Sequence, residues 1–164
     1  MKCYIGLGSN LSEPMTQLQY ALKRIASDDD MQLVCCSSFY QSRALVLPDT
    51  VKQNDYINAV ACIETLLPAE DLLIKLHAIE ALQGRDRKEK WAARTLDLDI
   101  LLYGNECIET ATLSIPHRQL QYRNFVIHPL FEIAGAIELP KLGSLAVLAE
   151  NTDWDGLLKL TPLS

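Results

Sequence analysis

The segment RTLDLDILLYG, residues 94–104, constrains the fold more than any other part of the chain. It reads as a β-strand, apolar through its core and closed by Gly104, yet it carries two carboxylates two positions apart. Strand side chains alternate faces, so Asp97 and Asp99 share one face while Leu96, Leu98 and Ile100 take the other, toward a core. At roughly 3.3 Å rise per residue the two aspartates stand about 6.6 Å apart. At an effective dielectric near 20, like charges at that distance repel by about 2.5 kcal/mol. A basic side chain, a shared proton or a divalent cation has to offset that repulsion. An edge strand with its polar face in water satisfies the same pattern, so the neighbouring segments decide between a solvated face and a site.

Hydrophobic periodicity supplies the elements around this strand. Residues 2–8 (KCYIGLG) read as a strand running into a Gly-Ser-Asn turn. Residues 11–25 carry a helical stripe of Leu18, Ala21, Leu22 and Ile25, ended by Asp28-Asp29-Asp30. Residues 31–40 are β-rich, 41–53 form a polar loop containing Pro48, and 55–66 alternate as a strand. Pro68 favours a helix start, and that helix runs to about Gln83 and stops at Gly84. A charged loop then leads into the Asp-bearing strand. The order β-α-β-β-α-β predicts an α+β, ferredoxin-like core, an antiparallel sheet with two helices on one face. The C-terminal extension holds a loop over 105–125, a helix over 128–134 and a less regular tail. No repeat, low-complexity tract or linker interrupts the chain, which predicts one domain over 1–164.

Composition narrows the function classes. A hydrophobic fraction of 49% with 22% charged residues fits a soluble globule, and no apolar run approaches the roughly 20 residues of a membrane span. The N-terminal residues lack a signal-peptide pattern. Five cysteines, odd in number and without zinc spacing, read as reduced and mostly buried thiols in a cytoplasmic protein. A net charge of −6 argues against nucleic acid as a partner.

Against that acidic background, residues 85–94 (RDRKEKWAAR) set five basic residues against two acidic ones, a local net charge of +3. Arg85, Arg87 and Arg94 suit phosphate oxygens that two N–H groups grip at once. Trp91 is costly in a loop unless it covers something. Anionic oxygens near cations, beside paired carboxylates able to hold Mg²⁺, are the components of phosphoryl transfer. Downstream, IPHRQLQYRNF (115–125) adds His117, Arg118, Arg123 and Phe125. In DYINAV, Tyr56 and Asn58 share one strand face, and an amide beside an aromatic ring suits the edge of a flat heterocycle. GLGSN lacks the G-K-[S/T] of a P-loop and the third glycine of a dinucleotide fingerprint. A nucleotide is therefore expected to be held by side chains and metal. Nucleotidyltransferases also use D-x-D, with a Gly-Ser about a dozen residues upstream; Gly8-Ser9 is far from Asp97.

GLGSNL, SSFY (37–40), DYINAV (55–60), IEALQGRDR, WAARTLDLDILLYGNE, IPHRQLQYRNF and PLFEIA occur in this order. In them the chain resembles the 6-hydroxymethyl-7,8-dihydropterin pyrophosphokinase family over nearly its whole length. The resemblance implies ATP-dependent transfer of pyrophosphate to a reduced pterin in folate biosynthesis by a cytoplasmic monomer acting on small molecules. It implies Asp97 and Asp99 as ligands of two Mg²⁺ ions, with Arg85 and Arg94 also catalytic. It implies ATP contacts from Arg85, Arg87, Arg94, Ile100, His117 and Arg123. Pterin contacts are implied for Ser42, Leu45, Tyr56, Asn58, Trp91, Asp97 and Phe125, with Trp91 on a mobile catalytic loop. Glu80 matches a helix position of the family without an evident chemical role. The chain departs from the family pattern at Arg43, Val46, Thr112 and Arg118, and the 41–48 departures imply a shifted pterin preference.

Overall fold

A computed structural model describes residues 1–11, 13–43, 54–83 and 95–161. Its elements begin with β1 (Lys2–Ser9), α1 (Pro14–Ala26), β2 (Met31–Cys36), β3 (Tyr40–Ser42), β4 (Tyr56–Thr65), α2 (Ala69–Leu82) and β5 (Asp97–Tyr103). The short strands β6 (Ile108–Glu109) and β7 (Ser114–Ile115) follow, then a 3-10 turn (Leu120–Tyr122) and α3 (Asn124–Ala134). Last come β8 (Glu138–Leu139), β9 (Gly143–Ser144), α4 (Leu145–Glu150) and β10 (Leu157–Lys159).

The expected ferredoxin-like arrangement is present. β1 pairs antiparallel with β4 on one side and β5 on the other, and β2 and β3 both pair with β4. The strand expected over 31–40 is split, because β4 is long enough to hold both pieces. Between them Ser37 replaces a strand residue: its N–H donates to Val60 O at 2.8 Å and its hydroxyl accepts the Val60 N–H at 2.9 Å. The tail is more ordered than expected, since β10 pairs with β3 and extends the sheet to six strands.

Alternation along the strands makes two cores. Cys3, Ile5 and Leu7 of β1, with Ala59, Ala61 and Ile63 of β4 and Leu96, Leu98 and Ile100 near and in β5, face α1 and α2. The α1 stripe of Leu18, Ala21 and Ile25 is fully buried against them, each large side chain contributing about 1.5–3 kcal/mol. The opposite face packs Tyr4, Val60, Cys62, Leu101 and Leu102 against α3 and α4. A bulge in β5 completes that second core. Ile100 pairs with Ile5 and Leu102 with Tyr4, so Leu101 is an extra residue, and Leu101 and Leu102 both turn to the α3 side. The α3 side of β5 is therefore polar at Asp97 and Asp99 and apolar from Leu101 onward.

Two expectations need correction. The helix expected over 128–134 begins at Asn124, with Pro129 inside it. Proline favours a first turn, but here earlier residues wind a full turn ahead of it. The cysteines are all free as expected, yet only Cys3 and Cys62 are buried, while Cys35 and Cys107 are exposed.

Candidate active site

The half of the α3-side face left uncovered by α3 carries the site. Strand register sets a row across the sheet: Asp97 lies opposite Gly8, Gly8 opposite Asn58, and Asn58 opposite Tyr40. With strands about 4.8 Å apart, Asp97 and Asn58 are about 9.6 Å apart, separated only by a glycine. A Cβ on Gly8 would stand 3.3 Å from Asn58 Oδ1 and 4.0 Å from Tyr56 Cδ1. Gly8 is thus the floor of a slot walled by Asn58 and Tyr56. The role of GLGSN is therefore not that of a phosphate loop but of a cleared strand face, which its loop pattern does not reveal. The available signal was Gly6 and Gly8 at i, i+2, which clears one face of a strand.

The Asn58 amide is oriented by its neighbours. Its Nδ2 donates to Ser42 Oγ at 2.8 Å and to Tyr40 O at 3.4 Å. A carbonyl can only accept, so the nitrogen must face β3 and Oδ1 faces the slot over Gly8. Asn58 and Ser42 are 5% and 6% exposed. The slot therefore presents an amide acceptor at one end and a carboxylate at the other.

Asp99 faces a second group of residues. His117 Nε2 lies 3.9 Å from Asp99 Oδ2. His117 Nδ1 accepts the Gln119 N–H at 3.1 Å, which leaves the proton of a neutral ring on Nε2, toward Asp99. Burial pushes the imidazole below its ordinary value; Asp99 opposes this and Arg123 adds to it. Arg123 in turn sits 5.6 Å from the centroid of Phe125. These four residues form a chain from β5 to the start of α3, and its far end, Arg123 and Phe125, also lines a cleft that residues 121–125 share with residues 151–153. Ile100 is placed by strand alternation in the helix-side core at 2% exposure. Its side chain points away from the aspartates, so only its main chain remains for a nucleotide contact.

Glu80 acquires a physical role. It is 1% exposed on α2, and its Oε1 accepts the Leu98 N–H at 2.7 Å. β5 ends the sheet order, so the residue between the two aspartates has one side without a strand partner. Glu80 accepts there and holds the Asp-bearing segment in place. Its place on the buried stripe Leu72, Leu76, Ile79, Glu80 was the sequence signal, a carboxylate where a core residue belongs. Just upstream, the Ser9 hydroxyl donates to Thr95 O and ties the end of β1 to the entry of β5.

Leu45, Arg85, Arg87, Trp91 and Arg94 lie outside the described residues, as does Val46. Of the other departures, Arg43 is exposed, with its stem 3.5 Å from a Cβ built on Gly156 of the tail. Thr112 donates to Glu70 at 2.9 Å, and Arg118 pairs with Glu109 at 3.0 Å.

A metal fits the carboxylate pair by its donor chemistry. Asp99 is 48% exposed at its side chain, and the facing strand offers glycines rather than competing groups. Among the described residues no group of three or more His, Cys, Asp or Glu forms a closed metal cage. A carboxylate pair suits Mg²⁺, which keeps waters and takes phosphate oxygens. No helix among the described residues is long and apolar enough to cross a membrane.

Comparison with known proteins identifies the family. The family model for 7,8-dihydro-6-hydroxymethylpterin-pyrophosphokinase matches residues 4–135. The 2-amino-4-hydroxy-6-hydroxymethyldihydropteridine pyrophosphokinase of Haemophilus influenzae is 49% identical over 159 residues, covering 97% of this chain and 98% of its own. The Pseudomonas aeruginosa enzyme of the same name is 40% identical, with 97% and 96% covered. The solved structure of Plasmodium falciparum HPPK-DHPS with pteroate superposes with a TM-score of 0.72 at 11% identity, which shows the fold. That alignment covers 91% of this chain and 42% of the longer one. By the family model and these full-length relatives, the chain belongs to the 7,8-dihydro-6-hydroxymethylpterin pyrophosphokinase family, ATP-dependent enzymes of folate biosynthesis that pass pyrophosphate to the pterin hydroxymethyl group.

Proposed function

We propose that this chain runs that transfer on the open half of the sheet, with the pterin over Gly8 and the ATP phosphates over Asp97 and Asp99. The row Asp97–Gly8–Asn58 carries the reading. Asn58 Oδ1 accepts from an N–H edge of the heterocycle, and Tyr56 and Phe125 supply aromatic surface. The span to Asp97 leaves the hydroxymethyl arm at the phosphate end. Asp97 and Asp99 would hold two Mg²⁺ ions, which when bound would supply positive charge against the triphosphate and against the repulsion of the carboxylates themselves. His117 directs Nε2–H toward the phosphates, and Arg123 adds a fixed cation beside it.

In the transfer, the hydroxymethyl oxygen forms a bond to the β-phosphorus of ATP. The bond from that phosphorus to the oxygen bridging the α-phosphate breaks, AMP leaves with the bridging oxygen, and the hydroxyl proton is released. The chain's contribution is alignment and electrostatics, as in other phosphoryl transfers. Resemblance assigns Arg85, Arg87 and Arg94 to the phosphates and Leu45 and Trp91 to the pterin. The reading takes residues 1–164 as one domain acting as a cytoplasmic monomer. The single domain is supported by β10 of the tail, which pairs into the same sheet as β1–β5.

The test is to incubate the protein with ATP, Mg²⁺ and hydroxymethyl-dihydropterin and to separate the nucleotides. AMP formed in step with pterin diphosphate, lost in Asp97→Ala and with a raised pterin KM in Asn58→Ala, is expected. ADP as the product, or unchanged kinetics in both variants, overturns the assignment.

A further inference from the structure

We infer that Ser42 is a positioning residue for pterin specificity, acting through the polarity of the Asn58 amide. The inference rests on the placement of the pterin over Gly8. An asparagine side chain can present either a donor or an acceptor, and the two differ by a half-turn about one bond. Here the choice is made by β3. The Ser42 hydroxyl takes one Nδ2–H at 2.8 Å, and the Tyr40 carbonyl takes the other at 3.4 Å, beyond the usual N–H···O range. Ser42 therefore makes the stronger of the two contacts that spend the donors. Asn58 Oδ1 is left 3.3 Å from the Cβ position of Gly8, turned toward the slot on a residue only 5% exposed.

A ligand that covers this acceptor removes it from water, and the cost is offset only if the ligand donates to it. A slot built this way selects a heterocycle whose edge carries N–H groups and rejects one whose edge offers only acceptors or carbon. The 2-amino and ring N–H groups of a 2-amino-4-oxo pyrimidine form such an edge. Without the Ser42 hydroxyl, the amide keeps only the long Tyr40 contact and can rotate. Nδ2 then meets the ligand in part of the population, and selectivity falls. Ser42 does not itself need to touch the pterin for this.

The test compares wild type with Ser42→Ala, Ser42→Thr and Asn58→Ala on two substrates, hydroxymethyl-dihydropterin and its 2-deamino analogue. Ser42→Ala is expected to raise the pterin KM about five- to tenfold, the equivalent of one modest hydrogen bond. The ratio of kcat/KM between the two substrates should narrow by a similar factor, while the ATP KM moves by less than about twofold. Ser42→Thr, which keeps the hydroxyl, should restore both the KM and the ratio. As a readout independent of turnover, hydrogen exchange of the Asn58 side-chain NH₂ in the ligand-free protein should be slow in wild type and Ser42→Thr and at least about tenfold faster in Ser42→Ala. If Asn58→Ala weakens pterin binding but Ser42→Ala leaves the KM, the substrate ratio and the exchange unchanged, the positioning role is overturned and the pterin placement stands. If Asn58→Ala also leaves pterin kinetics unchanged, the placement over Gly8 falls, and this inference falls with it.

Discussion

Replacing Gly8 with alanine separates what the strand needs to fold from what the slot needs to bind. The added Cβ stands 3.3 Å from Asn58 Oδ1 and 4.0 Å from Tyr56, close but without backbone overlap. A central strand also gains when glycine becomes alanine, by roughly 0.5–1 kcal/mol from lost unfolded-state freedom. The close contact with Oδ1 offsets about that much, so stability stays within about 1 kcal/mol of wild type. Binding has no such offset. A methyl group lifts the slot floor by about 1.5 Å, one carbon–carbon bond. A ring lying on that floor moves up by the same amount, and a hydrogen bond of about 2.9 Å to Asn58 Oδ1 stretches past its useful range. The loss combines the hydrogen bond, about 1 kcal/mol, with an acceptor left buried and unpaired, about 1–3 kcal/mol. That total of about 2–4 kcal/mol weakens pterin affinity by about 30- to 800-fold. Urea unfolding measures the first quantity, and calorimetric titration of the pterin in the presence of a non-hydrolysable ATP analogue with Mg²⁺ measures the second. A Gly8→Ala protein that folds normally and binds pterin within about threefold of wild type refutes the slot.

Other perturbations follow from the same geometry. Asp97→Asn and Asp99→Asn should each reduce AMP release to below about a tenth of wild type, while urea stability holds level or rises because about 2.5 kcal/mol of repulsion is relieved. A clear loss of stability in either variant contradicts the view that the pair is held for function. Glu80→Ala strips the acceptor from the buried Leu98 N–H and should cost about 3 kcal/mol with faster exchange of that amide; a cost under about 0.5 kcal/mol would show that β5 does not depend on it. Burial alone would raise the Glu132 carboxyl, but the Ser38 and Tyr40 hydroxyls, the Ser38 N–H and Lys159 outweigh it and hold the group below its ordinary value. The folded state then binds fewer protons than the unfolded one, so this stabilisation is complete above about pH 4.5 and is lost as pH falls through the folded value. Glu132→Gln should therefore flatten the acid side of the stability–pH curve, and an unchanged slope there would discount the cluster.

The central strands, the two helices packed on them and the face shared by Asp97 and Asp99 were legible because each depends on local periodicity. Alternation with period two placed Leu96, Leu98 and Ile100 in the core and the carboxylates opposite, as the strand shows. The Leu18, Ala21 and Ile25 stripe likewise identified α1, since side chains three and four apart must share a face. Elements that local pattern alone does not define were misjudged. The start of α3 was displaced because Pro129 looks like a first-turn residue, whereas packing of Val126 and Ile127 into the second core carries the helix backward past it. The pairing of β10 with β3 is a contact across more than a hundred residues, and nothing within the tail announces it.

The site divides along the same line. Residue chemistry in the chain pointed to the groups proposed for phosphate and metal, since carboxylates, a histidine and arginines keep their chemistry wherever they are placed. Only the tertiary structure decided that Gly8 separates Asp97 from Asn58, because strand register is set by pairing between segments about 50 and 90 residues apart. It alone decided which end of the Asn58 amide faces the slot, since that depends on Ser42 and Tyr40 of another strand. It also gave Glu80 its partner at Leu98. A hydrogen bond requires a donor and an acceptor within about 3 Å, and no local pattern specifies that distance between segments that meet only when the chain folds.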